Sequence, residues 1–195
     1  MSGFQDINIK PYLDKYKLIN FVETGCHTGS GITHAVQNGL KGIYSCDIDP
    51  KFVNHCRNIF PGAFIYNQHS VDFLRTIVDL IPGNCLFWLD AHFPELTGGK
   101  SENEEQRFPL FEELKVLSKK DGIEHDVIFI DDIRVIISDD NPIKQDFDDQ
   151  YKIHGSSIKD LTDLFPEHNS EVVNFQEGLL IICLLYTSDA ADEGL

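Results

Sequence analysis

The residues best suited to bind a ligand or take part in a reaction are carboxylates and histidines that directly follow short apolar runs of the sequence. Such runs form buried parallel strands, whose carboxyl ends meet at one edge of a sheet where ligands bind. Carboxylates at that edge can accept hydrogen bonds from ligand hydroxyl groups or hold a hard cation, and a histidine can exchange a proton near neutral pH. The residues concerned are Glu23, Asp47, His69, Asp90, His92, Asp131 and Asp132.

The stretch from Phe21 to Gly31 is the element around which the others must be placed. It reads as an apolar strand that ends in Glu23, a turn with three glycines, and the start of a helix. Glycines in such a turn let a ligand approach the backbone, and the helix offers free N–H groups and a positive dipole end. Asp47 ends the next apolar run, where doubly wound sheets hold a nucleoside ribose. The stretch therefore predicts a nucleotide-like cofactor.

The spacing of the glycines indicates which cofactor this is. The dinucleotide fingerprint G-x-G-x-x-G is absent because His27 stands at its second glycine, and no lysine completes a phosphate-binding P-loop. The segment matches E-x-G-x-x-x-G-x-G instead, and so resembles motif I of the class I S-adenosylmethionine-dependent methyltransferases. A plain strand–turn–helix is the alternative, but Glu23, the glycines and Asp47 together favour cofactor binding. The resemblance covers most of residues 18 to 135.

The resemblance implies an α/β fold with a Rossmann-like, doubly wound and mostly parallel sheet. Seven strands in the order 3-2-1-4-5-7-6 are expected, with the first strand in the centre and a C-terminal antiparallel hairpin. The cofactor would be S-adenosylmethionine. Gly25, Gly29 and Gly31 would let the loop approach its methionine part, Glu23 would support the loop, and Asp47 would accept hydrogen bonds from the ribose.

Further site residues follow the third and fourth apolar runs. The resemblance places His69 and Ser70 beside the adenine, although Ser70 could simply cap the helix that follows. It places Asp90 near the transferred methyl group, with capping of the next turn as the alternative. His92 is the candidate general base because its unperturbed pKa is near neutral, and an imidazole fixed by hydrogen bonds is the alternative.

The sequences Leu-Asp-Ala-His and Ile-Asp-Asp suggest a narrower resemblance, to the metal-dependent sugar O-methyltransferases of the macrocin and novobiocin type. That resemblance implies a divalent cation such as Mg²⁺ bound by Asp90, Asp131 and Asp132. The short N-terminal region and the Ala-His-Phe after Asp90 depart from that family. Successive strand residues point to opposite faces, so the alternative is that Asp131 faces the site while Asp132 caps the next turn or pairs with Arg134.

Composition limits the partners. The formal charge of -16 argues against a nucleic-acid partner, which needs basic patches, and favours a small neutral or cationic acceptor. We expect no membrane segment and no signal peptide, because neither kind of apolar run is present. The five cysteines are scattered, which argues against a disulfide framework or zinc site and predicts a reducing, cytoplasmic location. The oligomeric state is left open.

The chain is expected to form one domain over residues 1–182. The polar insert at residues 94–107 is either a lid over the site or a solvated loop. Residues 183–195 are expected to be a non-native tail, because Cys183 to Asp192 resembles the translation of a transposon-end sequencing adapter. A genuine C-terminal tail is the alternative.

The sequence thus predicts a methyltransferase that uses S-adenosylmethionine, with a hydroxyl group of a small molecule or sugar as the acceptor. Two other classes stay open. One is a nucleotide-binding oxidoreductase, against which the missing dinucleotide fingerprint counts. The other is a non-catalytic binding module on a methyltransferase-like fold, because a fold alone does not determine a function.

Overall fold

The computed structural model describes residues 3–92, 107–145, 152–153, 155–175 and 177–184. Within these residues one sheet has the order β3-β2-β1-β4-β5-β7-β6, which confirms the predicted order and the central position of β1. Strands β1 to β5 are parallel, and β7 is antiparallel to both β5 and β6. The strands are β1 Asn20–Thr24, β2 Gly42–Asp47, β3 Phe64–Asn67, β4 Cys85–Leu89, β5 Val127–Ile130, β6 His168–Val173 and β7 Leu179–Leu184.

Helices cover both faces of the sheet, and a separate apolar core lies on each face. All residues of β1 and β4 are buried, as expected for central strands covered on both sides. Side chains of α1, α2 and α3 pack on one face, and those of α4, α5 and α6 pack on the other. The helices are α1 Lys10–Tyr16, α2 Ser30–Gln37, α3 Pro50–Ile59, α4 Ser70–Ile77, α5 Leu110–Leu117 and α6 Ile158–Thr162.

The start of α4 corrects one sequence-based alternative. Ser70 is the first helical residue, and His69 occupies the N-cap position without a capping hydrogen bond from its side chain. Ser70 therefore does not cap this helix. Its hydroxyl lies near Glu113 of α5 instead.

The N-terminal segment closes the face that carries α1, α2 and α3. The Phe4 ring stacks on Phe21 of β1 at a centroid distance of 4.9 Å, and Tyr16 donates a hydrogen bond of 3.0 Å to the Leu184 carbonyl. Strand β7 thus includes the first two residues that the sequence assigned to a tail. The rest of that tail, residues 185–195, and most of the insert, residues 94–106, lie outside the described residues, so both expectations stay predictions.

No helix in the described part of the chain is both long enough and apolar enough to span a membrane.

Candidate active site

The glycine turn between β1 and α2 is shaped by three close contacts. Gly25 has a positive φ of 85°, and a Cβ there would lie 2.7 Å from the Asp90 carbonyl oxygen, so the turn lies directly against the end of β4. A Cβ at Gly29 would fall 2.6 Å from the Phe60 ring, and one at Gly31 would overlap Glu23 Oε1. The last two glycines therefore let the start of α2 pack against α3 and β1.

His27 stands in the turn at the position of the missing fingerprint glycine. It takes a left-handed backbone conformation with φ 43°, which glycine adopts more easily than other residues. Two contacts hold it there. Its N–H donates to Asp47 Oδ2 at 3.0 Å, and its ring lies on Phe52 at a centroid distance of 4.4 Å. The left-handed turn of the fingerprint is thus kept without its glycine.

Two carboxylates, those of Glu23 and Asp47, lie against this turn and support it. Glu23 is buried at the end of β1 and accepts a hydrogen bond of 2.7 Å from the Ser45 hydroxyl. Burial raises the pKa of Glu23 well above its usual range, although the Ser45 hydrogen bond opposes this. Asp47 ends β2 and accepts from the backbone N–H of His27 and, at 2.9 Å, of Asp49. Each of its oxygens keeps a lone pair, so Asp47 can hold the turn and still accept from a ligand.

The loop between β3 and α4 contains buried polar atoms without a protein partner. Gln68 Oε1, His69 Nε2 and Ser70 Oγ have no hydrogen-bond partner among the residues that the structure describes. Buried polar atoms are normally paired, so orphaned atoms at a sheet edge are typical of a ligand-binding surface. His69 and Ser70 thus lie at the edge to which the sequence assigned them.

A second group of charged residues lies at the carboxyl ends of β4 and β5. His92 Nε2 is 2.8 Å from Asp132 Oδ2 and 3.7 Å from Asp90 Oδ1. The His92 side chain is only 9% exposed, whereas that of Asp90 is 37% exposed. Asp90 is therefore more accessible to an incoming molecule than His92 behind it.

The proximity of these groups shifts their pKa values. Partial removal from water raises the pKa of Asp90 above its usual range, with His92 opposing and Asp131 and Asp132 adding to the rise. Burial also raises the pKa of Asp131 to about 6, reinforced by the charge of Asp132. Burial alone would lower the pKa of His92, but its hydrogen bond to Asp132 and the surrounding carboxylates raise it to about 9. The pair of His92 and Asp132 is therefore an ion pair at neutral pH, not a neutral imidazole beside an acid.

The predicted metal ligands do not form a ligand set. Asp132 has a left-handed φ of 57°, and its carboxylate also lies 3.1 Å from Arg134 Nε. Arg134 Nη2 in turn lies 2.9 Å from Glu177 Oε1, and Asp131 Oδ1 accepts from the Asp132 N–H. This arrangement corresponds to the alternative in which Asp132 pairs with Arg134.

Across the described ranges, no three His, Cys, Asp or Glu side chains are arranged to hold a metal ion. The expected divalent cation is therefore not supported. The physical reason is that Asp132 faces two cationic side chains, so its charge is already balanced. The residues present do not fit the ion, and no step of the reaction is assigned to it.

One residue of this region was missed by the sequence analysis. Glu113 of α5 is 1% exposed and lines a small cavity together with His92 and Asp131. Burial raises the pKa of Glu113 to about 7, while the hydroxyls of Ser70 and Thr24 oppose the rise. Its position in the sequence could have indicated it, because Glu113 is an acidic residue on the apolar face of α5 with Leu110, Leu114 and Leu117.

Solved structures identify the fold that carries these residues. The S-adenosylhomocysteine-bound methyltransferase PaMTH1 of Podospora anserina matches with a TM-score of 0.60 at 13% identity, over 91% of this chain and 76% of that chain. A Staphylococcus aureus protein described as a caffeoyl-CoA O-methyltransferase matches at 0.59 and 10% identity, over 90% and 80%. Human methyltransferase-like protein 13, in complex with S-adenosylhomocysteine, matches at 0.54 and 15% identity, over 92% and 78%.

The sequence itself matches no protein-family model and no curated protein. At such low identities the structural likeness establishes the fold. This chain has the fold of the class I S-adenosylmethionine-dependent methyltransferases, as its motif I resemblance predicted.

Proposed function

We propose that this protein transfers the methyl group of S-adenosylmethionine to a hydroxyl group of a small molecule or sugar. One observation carries the proposal. The glycine turn, Asp47 and the orphaned polar atoms of the β3–α4 loop lie along the same edge of a methyltransferase-like sheet. Two solved proteins of this fold hold S-adenosylhomocysteine, the product of that cofactor.

The residues of this edge fit the proposed cofactor in charge and shape. Gly25 keeps the turn free of a side chain beside β4, which lets the methionine part lie over it. The remaining lone pairs of Asp47 accept the ribose hydroxyl groups. Gln68 and His69 supply the unpaired atoms that an adenine can satisfy. Glu23 acts through the turn, by supporting it from below.

Methyl transfer requires a direct displacement in which the carbon–sulfur bond breaks as a carbon–oxygen bond forms. The enzyme contributes mainly by holding donor and acceptor in line, which can lower the barrier by several kcal/mol. Asp90 is the accessible carboxylate at this position and receives the hydrogen bond of the acceptor hydroxyl. The hydroxyl proton passes to the Asp90 carboxylate. His92 is already protonated through its pairing with Asp132 and acts by holding the Asp90 carboxylate in place.

We further propose a small neutral or cationic acceptor and a cytoplasmic location. The surplus of acidic residues and the four carboxylates near the cavity disfavour an anionic acceptor. The location rests on the scattered cysteines of the sequence.

Calorimetric titration with S-adenosylhomocysteine and with NAD tests the cofactor. We expect binding of the first and none of the second, and the reverse result would favour the oxidoreductase alternative. Incubation with methyl-labelled S-adenosylmethionine and a pool of small alcohols and sugars then tests turnover, with and without a chelator. Cofactor binding without any label transfer would favour the non-catalytic binding module.

A further inference from the structure

A buried carboxylate lies beside the acceptor end of the proposed site. Glu113 occupies the apolar face of α5 and is 1% exposed. A carboxylate among apolar neighbours costs free energy unless its oxygens are hydrogen-bonded or paired with a cation. The surroundings of Glu113 therefore indicate whether it has a purely structural role.

The protein provides hydrogen-bond donors for only part of the Glu113 carboxylate. The hydroxyls of Thr24 and Ser70 lie close enough to stabilise its charged form. Nevertheless, Glu113 Oε1 has no partner with hydrogen-bond geometry in the described part of the chain, and neither does Ser70 Oγ. An oxygen left this way calls for an external hydrogen-bond donor.

The cavity beside Glu113 can admit such a donor. It has room for about one water-sized group and is lined on its apolar side by Leu89, Leu110 and Ile130. His92 and Asp131 form the rest of its polar wall. Because these residues follow β4 and β5, the cavity lies where the reacting end of an acceptor must come under the proposed function.

We propose that Glu113 is a specificity-determining residue, whose Oε1 accepts a hydrogen bond from a hydroxyl or ammonium group at the reacting end of the acceptor. The proposal rests on the proposed function and narrows its substrate class. A carboxylate or phosphate in the cavity would face Glu113 and Asp131 and be repelled, because the charge of His92 in the cavity wall is already balanced by Asp132. The site thus selects molecules that donate hydrogen bonds and rejects anionic ones.

Three probes that share a phenyl ring and differ in their polar group test this selection: benzylamine, benzyl alcohol and benzoate. Each is titrated into the complex with S-adenosylhomocysteine by ligand-observed NMR. We expect the amine and the alcohol to bind more tightly than benzoate. In Glu113→Gln the preference for benzylamine over benzoate should fall by roughly tenfold or more, the loss expected for one charge-assisted hydrogen bond.

Glu112→Gln is the matched control, because Glu112 lies next to Glu113 but pairs with Lys115 at the surface. It should leave the preference unchanged. A purely structural Glu113 would instead weaken all three probes equally, and that result would overturn the proposal. Equal binding of benzoate in the wild type, or no binding of either donor probe, would also overturn it.

A crystal structure of the ternary complex with benzylamine gives an independent readout. The amine nitrogen should lie within hydrogen-bond distance of Glu113 Oε1, and an ordered water there with the probe elsewhere would contradict the proposal. Binding of S-adenosylhomocysteine is measured first. Its failure would contradict the proposed function, whereas intact cofactor binding with unchanged probe selectivity would contradict only the role of Glu113.

Discussion

The two ends of the site hold their carboxylates in opposite ways. At the cofactor end, Glu23 and Asp47 receive hydrogen bonds from a serine and from backbone N–H groups. At the acceptor end, Asp90, Asp132 and their neighbours face one another across two cationic side chains, and one nearby carboxylate oxygen has no partner among the described residues.

This difference indicates that shape governs binding at the cofactor end and charge governs binding at the acceptor end. The cofactor end is fixed by contacts within the turn and its adjacent strands, so it is expected to be preformed. The acceptor end brings together carboxylates, and burial, reinforced by their mutual repulsion, raises the pKa values of Asp90 and Asp131. Such a group of carboxylates favours an incoming hydrogen-bond donor. Substitutions should therefore act on stability and cofactor affinity at the first end, and on pH dependence at the second.

The largest effect is expected for Gly31→Ala, which tests the fixed shape of the cofactor end. The new Cβ would overlap the buried Glu23 carboxylate, and overpacking of this kind costs on the order of 3 kcal/mol. Urea denaturation measures the loss of unfolding free energy. Gly62→Ala is the control, because no described atom lies within 4 Å of a Cβ at Gly62 and its φ is not positive.

The same substitution in a Glu23→Ala background separates this contact from a general helix effect. If the overlap is the cause, Gly31→Ala should cost much less in that background. An equal cost in both backgrounds would show that the start of α2 is not shaped by Glu23.

The second prediction concerns the pH dependence of stability at the acceptor end. Glu113 has a pKa raised from 4.5 to about 7 in the folded chain, so the folded state binds more protons between these values. The free energy of unfolding is therefore expected to fall as pH rises from about 4.5 to 7, by at most about 3.4 kcal/mol. Glu113→Gln cannot ionise and should lose this dependence.

Thermal melting of both proteins at several values between pH 5 and pH 8 measures the difference. The variant should gain on the wild type as pH rises, whereas Glu112→Gln should follow the wild type throughout. A constant difference between Glu113→Gln and wild type would mean that Glu113 does not titrate in this range.

The third prediction tests the cofactor end by affinity. Asp47→Ala should weaken binding of S-adenosylhomocysteine by about 1–3 kcal/mol, because the ribose hydroxyls and the His27 N–H lose one acceptor. Asp49→Ala is the matched control, because that carboxylate accepts from the Lys51 N–H at the start of α3. It should lower the melting temperature with little change in affinity. Equal affinity losses in both variants would contradict the assignment.

The sequence predicts the fold well because the fold depends on local patterns, and the residues assigned to the cofactor end stand in the same patterns. Short apolar runs mark β1 to β5, and the E-x-G-x-x-x-G-x-G segment includes both Glu23 and its glycines. The exact contacts of Gly29 and Gly31 could not be predicted, because Phe60 and Glu23 meet them only in the folded chain.

The acceptor end was harder to predict because its partners are distant in the chain. His92 meets Asp132 only through the parallel pairing of β4 and β5. The Asp-Asp sequence suggested a cation site, but the left-handed turn at Asp132 and the nearby Arg134 give that carboxylate another partner. The role of Glu113 could not be predicted, because it depends on the packing of α5 beside Thr24 and Ser70, which residue spacing does not reveal.

The smallest effect is expected from a segment outside both ends of the site. Removing residues 187–195 should leave cofactor affinity unchanged and alter the free energy of unfolding by less than about 0.5 kcal/mol, because an adapter-like sequence has no role in the native fold. Removing residues 183–195 should cost more, because Cys183 and Leu184 pair with β6 and Leu184 accepts from Tyr16. A large loss in the shorter truncation would show that the tail is native, or at least packed. A loss of cofactor affinity in either truncation would show that the tail contributes to cofactor binding.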